Sequence, residues 1–376
     1  GGADALAWLL FIAAAAKSAQ GPLYFWLPNA MAGPTPISAL IHAATMVAAG
    51  VYLLTRTHAV LALSPNVSLA IALIGVSTAL AASVASLFQS NFKKGIAYST
   101  VAQLGYMFAA VGVGAPFAAL FHLFTHASFK ALLFLAAGIV IHGVHGRESL
   151  ASLRGLGRFF PFSRWGFLIG SLALIGTPVI TAGAFSKDAI IDAAMASPAS
   201  YGPLIGWLLL VGVVLTGLYI GRLFCIVYLA KPLDLHAVHH DAAAEQSMNW
   251  SLVPLMAGSI VFGYLGSWLQ GRLAGPLGET EALPGPITPI GLAAFALGAV
   301  GFALAYWYFI QRAAAPEATV DQEPSYRAAS WVGAIATAGY AVSGTLARVQ
   351  SGALGIYALG SFVGLALILL LREAFK

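Results

Sequence analysis

Four basic side chains, Lys17, Lys130, Lys187 and Arg222, and three histidines, His42, His122 and His126, stand where the sequence is otherwise almost wholly apolar. A charge in mid-bilayer costs about 2.5–3.5 kcal/mol on insertion scales, so a chain keeps one there only where something offsets that cost. Arg222 and Lys187 lie near the ends of apolar stretches, where a long side chain can reach toward the membrane surface; that account serves Arg222 as well as a functional one does, while Lys187 reads more readily as functional. Lys187 also has Asp188 beside it. Lys17 and Lys130 lie too deep for that. A lysine held away from water responds to modest changes in nearby charge by taking up or releasing its proton, which is what a relay site requires.

The run Phe121-His122-Leu-Phe-Thr-His126-Ala-Ser-Phe-Lys130 sets His122, His126 and Lys130 four residues apart, nearly on one face of a helix. One buried histidine is usually a packing residue with a hydrogen bond, but three titratable groups in a stripe form a path for protons. The same spacing suits a helical zinc pair. Leu123 stands where a zinc protease needs a glutamate base, and no third ligand is evident, so no metal is expected. His42 follows the turn Gly33-Pro34-Thr35-Pro36 and extends the same hydrophilic axis. His236, His239 and His240, with Asp234 and Asp241, read as a solvated loop.

The elements that must hold these groups are membrane helices. Charged residues make up 8% of the 376 positions and hydrophobic ones 60%, against about 25% charge in a soluble domain. Such a chain has too little polar surface for water, and each of its long apolar stretches must be helical, because lipid offers backbone groups no partner. The expected spans lie near 5–27, 37–55, 68–88, 96–114, 118–141, 164–185, 203–229, 250–270, 287–310 and 353–371, roughly ten in all. Small residues recur within them, as in Ala79-Leu-Ala-Ala-Ser-Val-Ala-Ser86, and suit close helix packing. Two spans read as broken: the first at Gly21-Pro22, shortly after Lys17, and the sixth at Gly176-Thr-Pro178 and Thr181-Ala-Gly183. Discontinuous helices at membrane depth mark ion sites in transporters.

Composition also excludes functions. Cys225 is the sole cysteine, so no intrachain disulfide and no iron–sulfur ligand set is available. The formal charge of +5 comes from basic residues scattered singly or in pairs, without the aromatic interleaving of a nucleic-acid surface. If spans alternate in direction, Lys93, Lys94, Arg147, Arg154, Arg158, Arg164, Lys231, Arg312, Arg327 and Arg348 share one side, against Arg56, Arg272, Arg372 and Lys376 on the other. That bias makes the first side cytoplasmic. It places the segment from about 312 to 350 there as well, as a polar linker followed by a short, weakly amphipathic helix.

The residues reached so far carry a resemblance. Lys17-Ser-Ala-Gln20, then Trp26-Leu-Pro-Asn-Ala-Met-Ala-Gly-Pro-Thr-Pro-Ile-Ser-Ala-Leu-Ile-His42-Ala-Ala-Thr-Met-Val47, resemble the subunit L family of proton-pumping NADH:quinone oxidoreductase, the distal antiporter-like subunits of the membrane arm of respiratory complex I. Ile96-Ala-Tyr-Ser-Thr-Val-Ala-Gln-Leu-Gly-Tyr-Met107, the His122–Lys130 row and Phe185-Ser-Lys-Asp188 are similar to later segments of that family in the same order, so the likeness runs from residue 17 to about 230.

The resemblance implies an all-α polytopic bundle, the second half of a fold of two inverted repeats, each with a broken helix bearing a central lysine. It implies three parts: residues 1–60 as the last two helices of the first repeat, 61–230 as the second repeat, and 231–376 as C-terminal helices with a short cytoplasmic linker. Lys17 would be the first repeat's lysine with His42 on the next helix. His122, His126 and Lys130 would form the central relay, and Lys187 with Asp188 would lead to the exit. No cofactor is expected in this chain. NAD, FMN, iron–sulfur clusters and quinone belong to partner subunits, and the lipid bilayer, protons and the other membrane-arm subunits are the partners. The expected location is the bacterial inner membrane. A-type subunits of multi-subunit sodium/proton antiporters share most of this pattern and form the second reading; a structural part that does not pump is the third. Three features depart from the family: its helices preceding the Lys17 segment, with their glutamate, are not in this sequence; Asn29 stands where Asp is usual; and the stretch between the last two spans is short for the family's lateral helix.

Overall fold

The computed structural model describes residues 2–232, 242–273, 275–277 and 287–312. Within them the chain is helical, apart from turns and an isolated bridge between Asn91 and Ser149. Six helical stretches there, counted through short interruptions, are long and apolar enough to cross a membrane. The tenth expected span at 353–371, most of the expected linker and the His236–His240 loop lie outside the described residues.

The helices that matter for function are α1 (Gly2–Lys17), α2 (Thr35–Ala43), α3 (Ala48–Arg56), α4 (Pro65–Phe88), α5 (Phe92–Gly112), α6 (Pro116–His142), α7 (Pro161–Ile175), α8 (Ala182–Ala196), α9 (Gly202–Phe224, continued by a wider turn at Cys225–Leu229), α10 (Ala242–Val261) and α11 (Pro289–Tyr306). Proline opens α4, α6, α7 and α11, where its missing N–H is no loss and its fixed φ is already helical. Asn91 starts α5 by accepting the Lys94 N–H at 3.0 Å, and Thr288 starts α11 by accepting the Gly291 N–H at 2.9 Å. α5 and α6 carry the most deeply buried surfaces, with Tyr106, Phe108, Phe129 and Phe134 fully enclosed.

Among the described residues three spans are broken, one more than expected. α1 stops at Lys17, a turn before the Gly21-Pro22 pair that marks the break in the sequence, and Ala19 takes a positive φ of 51°. The span expected over 37–55 is two helices, α2 and α3, separated at residues 44–47. No Pro or Gly stands in that gap. Groups freed at the breaks find other partners: Ser18 Oγ donates to the Val47 carbonyl at 2.7 Å, Thr45 Oγ1 to the Leu40 carbonyl at 2.8 Å, and Gly21 N to Thr78 Oγ1 on α4 at 3.0 Å. A local hydroxyl thus replaces part of the lost helix ladder.

The third break follows the sequence more closely. α7 ends on Gly176, whose φ of 93° is open to glycine at low cost, and the Thr177 N–H closes the turn on Leu172 O at 3.1 Å. Pro178 prevents continuation, and α8 resumes at Ala182. The second half-helix runs to Ala196, beyond the expected limit of 185, so Lys187 and Asp188 lie inside it.

Lys93 ties one end of the bundle together. Its ammonium is 3% exposed, donates to Gly33 O at 2.9 Å and pairs with Glu148 at 2.7 Å, joining the start of α5 to the turn before α2 and the loop after α6. Removing one partner of a mostly buried pair leaves the other's desolvation uncompensated. Glu148→Gln is expected to lower stability by roughly 1–3 kcal/mol, read as a fall in the thermal unfolding midpoint in detergent. An unchanged midpoint would show that Gly33 alone satisfies the ammonium.

Candidate functional site

α6 presents its row as the spacing requires: His122, His126 and Lys130 are each fully buried, with the two imidazole centroids 6.1 Å apart. What the row faces is polar. Lys130 Nζ donates to Ser99 Oγ on α5 at 2.8 Å, and Ser99 donates onward to the Ile96 carbonyl at 2.6 Å. His122 is held on both ring nitrogens, Nε2 by Gln103 Oε1 at 3.1 Å and Nδ1 by Ser186 Oγ at 2.9 Å. Thr125 Oγ1 lies 2.6 Å from Ser186 Oγ, which links α6 a second time to α8. The Tyr219 hydroxyl on α9 faces Ser99, Gln103 and Thr216 but lies outside direct hydrogen-bond geometry to them.

Toward the other side the row passes to His42. His126 lies within electrostatic reach of Lys130, His122 and His42, and close to the Ala43 backbone, where α2 breaks off. Both ring nitrogens of His42 and of His126 are buried without a protein hydrogen-bond partner. Buried polar atoms left this way ordinarily bond to ordered water. The His42 ring also packs against Phe134, tilted by 35° with centroids 4.8 Å apart.

Lys187 does not reach for the membrane surface. It is 1% exposed, its ammonium donates to the Leu174 carbonyl, and it sits 5.2 Å from the centre of the Tyr106 ring. Leu174 belongs to the last turn of α7, whose carbonyls have no helical partner and carry the negative end of the helix dipole. The break at Gly176 is therefore what provides an ammonium with a neutral binding seat. Tyr106 is itself fixed by its hydroxyl donating to Leu209 O at 2.6 Å. His122 lies within electrostatic reach of both Lys187 and Lys130.

The other candidates fall differently. Asp188 is 8% exposed and its carboxylate packs against Gly291 in the first turn of α11, while Asp192, one turn on, accepts from Thr288 Oγ1 at 3.1 Å. Lys17 is exposed on α1 and stands apart from the buried row. Arg222 is 8% exposed and donates to Gln89 O at 2.8 Å, capping the end of α4 instead of reaching into headgroups. Sequence reasoning missed Ser99, Gln103, Thr125, Ser186 and Tyr219 as members. The available signal was Ser99 and Gln103 four residues apart in an apolar span, since an amide in lipid needs a partner.

Comparison with known proteins agrees with this architecture. Residues 2–217 match the family described as NADH:quinone oxidoreductase/Mrp antiporter, TM. The chain is 40% identical over 334 residues to NADH-quinone oxidoreductase subunit L of Escherichia coli strain K12, covering 88% of this chain and 53% of that protein. It is 45% identical over 258 residues to NADH-ubiquinone oxidoreductase chain 5 of Cryptococcus neoformans var. grubii, covering 68% and 39%. Among solved structures, the Mrp complex from Dietzia sp. DQ12-45-1b aligns with the whole chain at a TM-score of 0.70 and 26% identity, and the chain covers 41% of that protein's length. The chain thus spans about half the length of the subunit L relative, and it belongs to the NADH:quinone oxidoreductase/Mrp antiporter transmembrane family.

Proposed function

We propose that the protein containing this chain moves protons across a membrane as a subunit of a proton-translocating NADH:quinone oxidoreductase, driven by redox chemistry in other subunits. The observation that carries this is the buried gathering of Lys130, His122 and Lys187 from α6 and α8, each held by its own hydrogen-bond partner and with both lysines within electrostatic reach of the ring. A unit charge arriving about 8 Å from such a lysine changes its energy by about 2 kcal/mol at an effective dielectric of 20, enough to load or empty it. His42 and His126 extend the path toward α2, and Lys187 with Asp188 extends it toward α8 and α11. Lys17, on the outer face of α1, is the entry-side lysine of this reading, with residues 1–60, 61–230 and 231–376 as the end of one repeat, the second repeat and a C-terminal extension. NAD, FMN, iron–sulfur clusters and quinone are assigned to the other subunits, and the bacterial inner membrane is the proposed location.

A second reading, a subunit of a multi-subunit sodium/proton antiporter, is favoured by the alignment of the whole chain with the Mrp complex. Vesicles holding the assembled complex separate the two. Proton uptake that follows NADH oxidation and is indifferent to sodium supports the first, and proton movement that requires a sodium gradient supports the second. In the same vesicles Lys187→Ala removes a charge-assisted hydrogen bond of about 1.5–3 kcal/mol. Proton flux through this subunit is expected to fall about tenfold or more, since 1.36 kcal/mol is one factor of ten. Normal flux in a normally assembled variant would remove Lys187 from the path.

A further inference from the structure

The carboxamide of Gln103 lies against a group that can be read two ways. Its Oε1 is 3.1 Å from His122 Nε2, while its own Nε2 is buried without a protein partner, and the neighbouring Tyr219 hydroxyl is unpartnered as well. On the other side of the ring, Nδ1 meets Ser186 Oγ at 2.9 Å, Ser186 meets Thr125 Oγ1 at 2.6 Å, and Thr125 reaches the His122 carbonyl at 3.2 Å. Each hydroxyl in that chain can donate or accept, and the two ends of a carboxamide differ only in being acceptor or donor.

Two complete proton arrangements therefore fit the same heavy atoms. With Oε1 toward the ring, Nε2–H donates to Gln103, Nδ1 accepts the Ser186 proton, and Ser186 accepts from Thr125. With the carboxamide turned over, the Gln103 N–H donates to His122 Nε2, Nδ1–H donates to Ser186, Ser186 donates to Thr125, and Thr125 donates to the His122 carbonyl. The turned amide also presents Oε1 to the Tyr219 hydroxyl, a donor. Neither arrangement leaves His122 unsatisfied.

The two arrangements differ in what they allow next. In the first, Nδ1 is unprotonated and its lone pair already accepts from the Ser186 hydroxyl. A proton delivered from a water or ammonium donor through Thr125 and Ser186, each giving one proton and regaining one, forms a new N–H bond at Nδ1. The resulting imidazolium donates to Gln103 Oε1 and to Ser186 Oγ. In the second, a proton added at Nε2 would meet the amide N–H head on, so the ring stays neutral.

We propose that Gln103 is a positioning residue for His122, whose carboxamide orientation decides which ring nitrogen carries the proton and so whether the ring takes up a second one. This rests on the relay reading above, and it gives that relay a latch at the ring between its two buried lysines.

The test uses the full-length protein in its assembled complex in liposomes, with nitrogen-15 histidine and the His122 signals assigned by difference against His122→Gln. Solid-state nitrogen NMR of the unaltered protein is expected to show both neutral tautomers of His122. In Gln103→Met the ring keeps only Ser186, so the Nδ1–H form alone is expected, because a bare ring nitrogen is a cheaper orphan than a buried N–H. In Gln103→Glu, at a pH where the introduced carboxylate is ionised and so offers acceptors and no donor, the neutral Nδ1–H form disappears in favour of Nε2–H and imidazolium. Proton transport in Gln103→Met falls about tenfold, the scale of one lost buried hydrogen bond. A tautomer distribution unchanged in either variant, or undiminished transport in Gln103→Met, would overturn the proposal. Undiminished transport in a Lys130→Met control would instead overturn the relay beneath it, and the tautomer signals would still decide what Gln103 does.

Discussion

Lys130→Met is expected to cut proton conductance through the protein by about a hundredfold or more, the lower end of what one acid–base group contributes to a transfer, while leaving it folded and assembled. Methionine matches the length and volume of the lysine stem, so the enclosed site on α6 gains neither void nor overlap. What disappears is the ammonium, whose hydrogen bond to Ser99 is its direct tie to α5. Ser99 keeps its bond to the Ile96 carbonyl and is not stranded. Replacing a buried charge by an apolar side chain of similar size is often neutral or stabilising. The thermal midpoint is accordingly expected to stay level or rise even as transport is lost. That opposite movement is the signature of a charge kept for function.

Lys130→Arg sharpens the case. A guanidinium keeps the positive charge and the ability to donate to Ser99, but it does not release its proton in a protein. If the site only needed a fixed charge, arginine would support transport. On the relay reading it fails almost as completely as methionine. A dye-based flux assay in vesicles settles the matter, and arginine-supported transport at near the original rate would rule out proton exchange at this position.

The part of the site that shows through the sequence is the part written by period and punctuation. His122, His126 and Lys130 recur at helical spacing, and the structure keeps them on one buried face. Gly176 and Pro178 announce a helix end, and the helix ends there. The break at residues 44–47 has no such mark; its freed carbonyls are taken up by one tertiary partner, Ser18, and by the local hydroxyl of Thr45. Lys187 looked in sequence like a residue at a span's edge. Its burial depends on where the α7 carbonyls point, which is a property of two chain segments brought together. Gln103 and Ser186 are polar residues in apolar runs, visible as anomalies, but their shared partner His122 lies 19 and 64 positions away. Local pattern carries no information about such pairs. Lys17 shows the reverse limit, a residue conspicuous in sequence whose side chain turns outward from the described helices.

The second large effect is expected from a residue with no chemistry of its own. At Gly217 on α9 an added Cβ would overlap the Gly298 carbonyl of α11, and at Gly301 it would overlap the Val214 carbonyl, so the two backbones touch directly. Lipid provides no hydrophobic drive between helices, and such close backbone packing is what holds them. Gly298 in turn rests against Ile175 in the final turn of α7, next to the carbonyl that seats Lys187. Gly217→Leu is therefore expected to cost about 3 kcal/mol or more, the upper range for an overpacked core, and to lower both the yield of assembled protein and its thermal midpoint in detergent. Gly95→Ala is the matched control: its new Cβ would lie 3.2 Å from the Leu223 side chain, with no backbone atom among its nearest contacts, so a much smaller change is expected. If Gly217→Leu were tolerated as well as Gly95→Ala, α9 and α11 would not be locked through their backbones, and the seat of Lys187 would need another support.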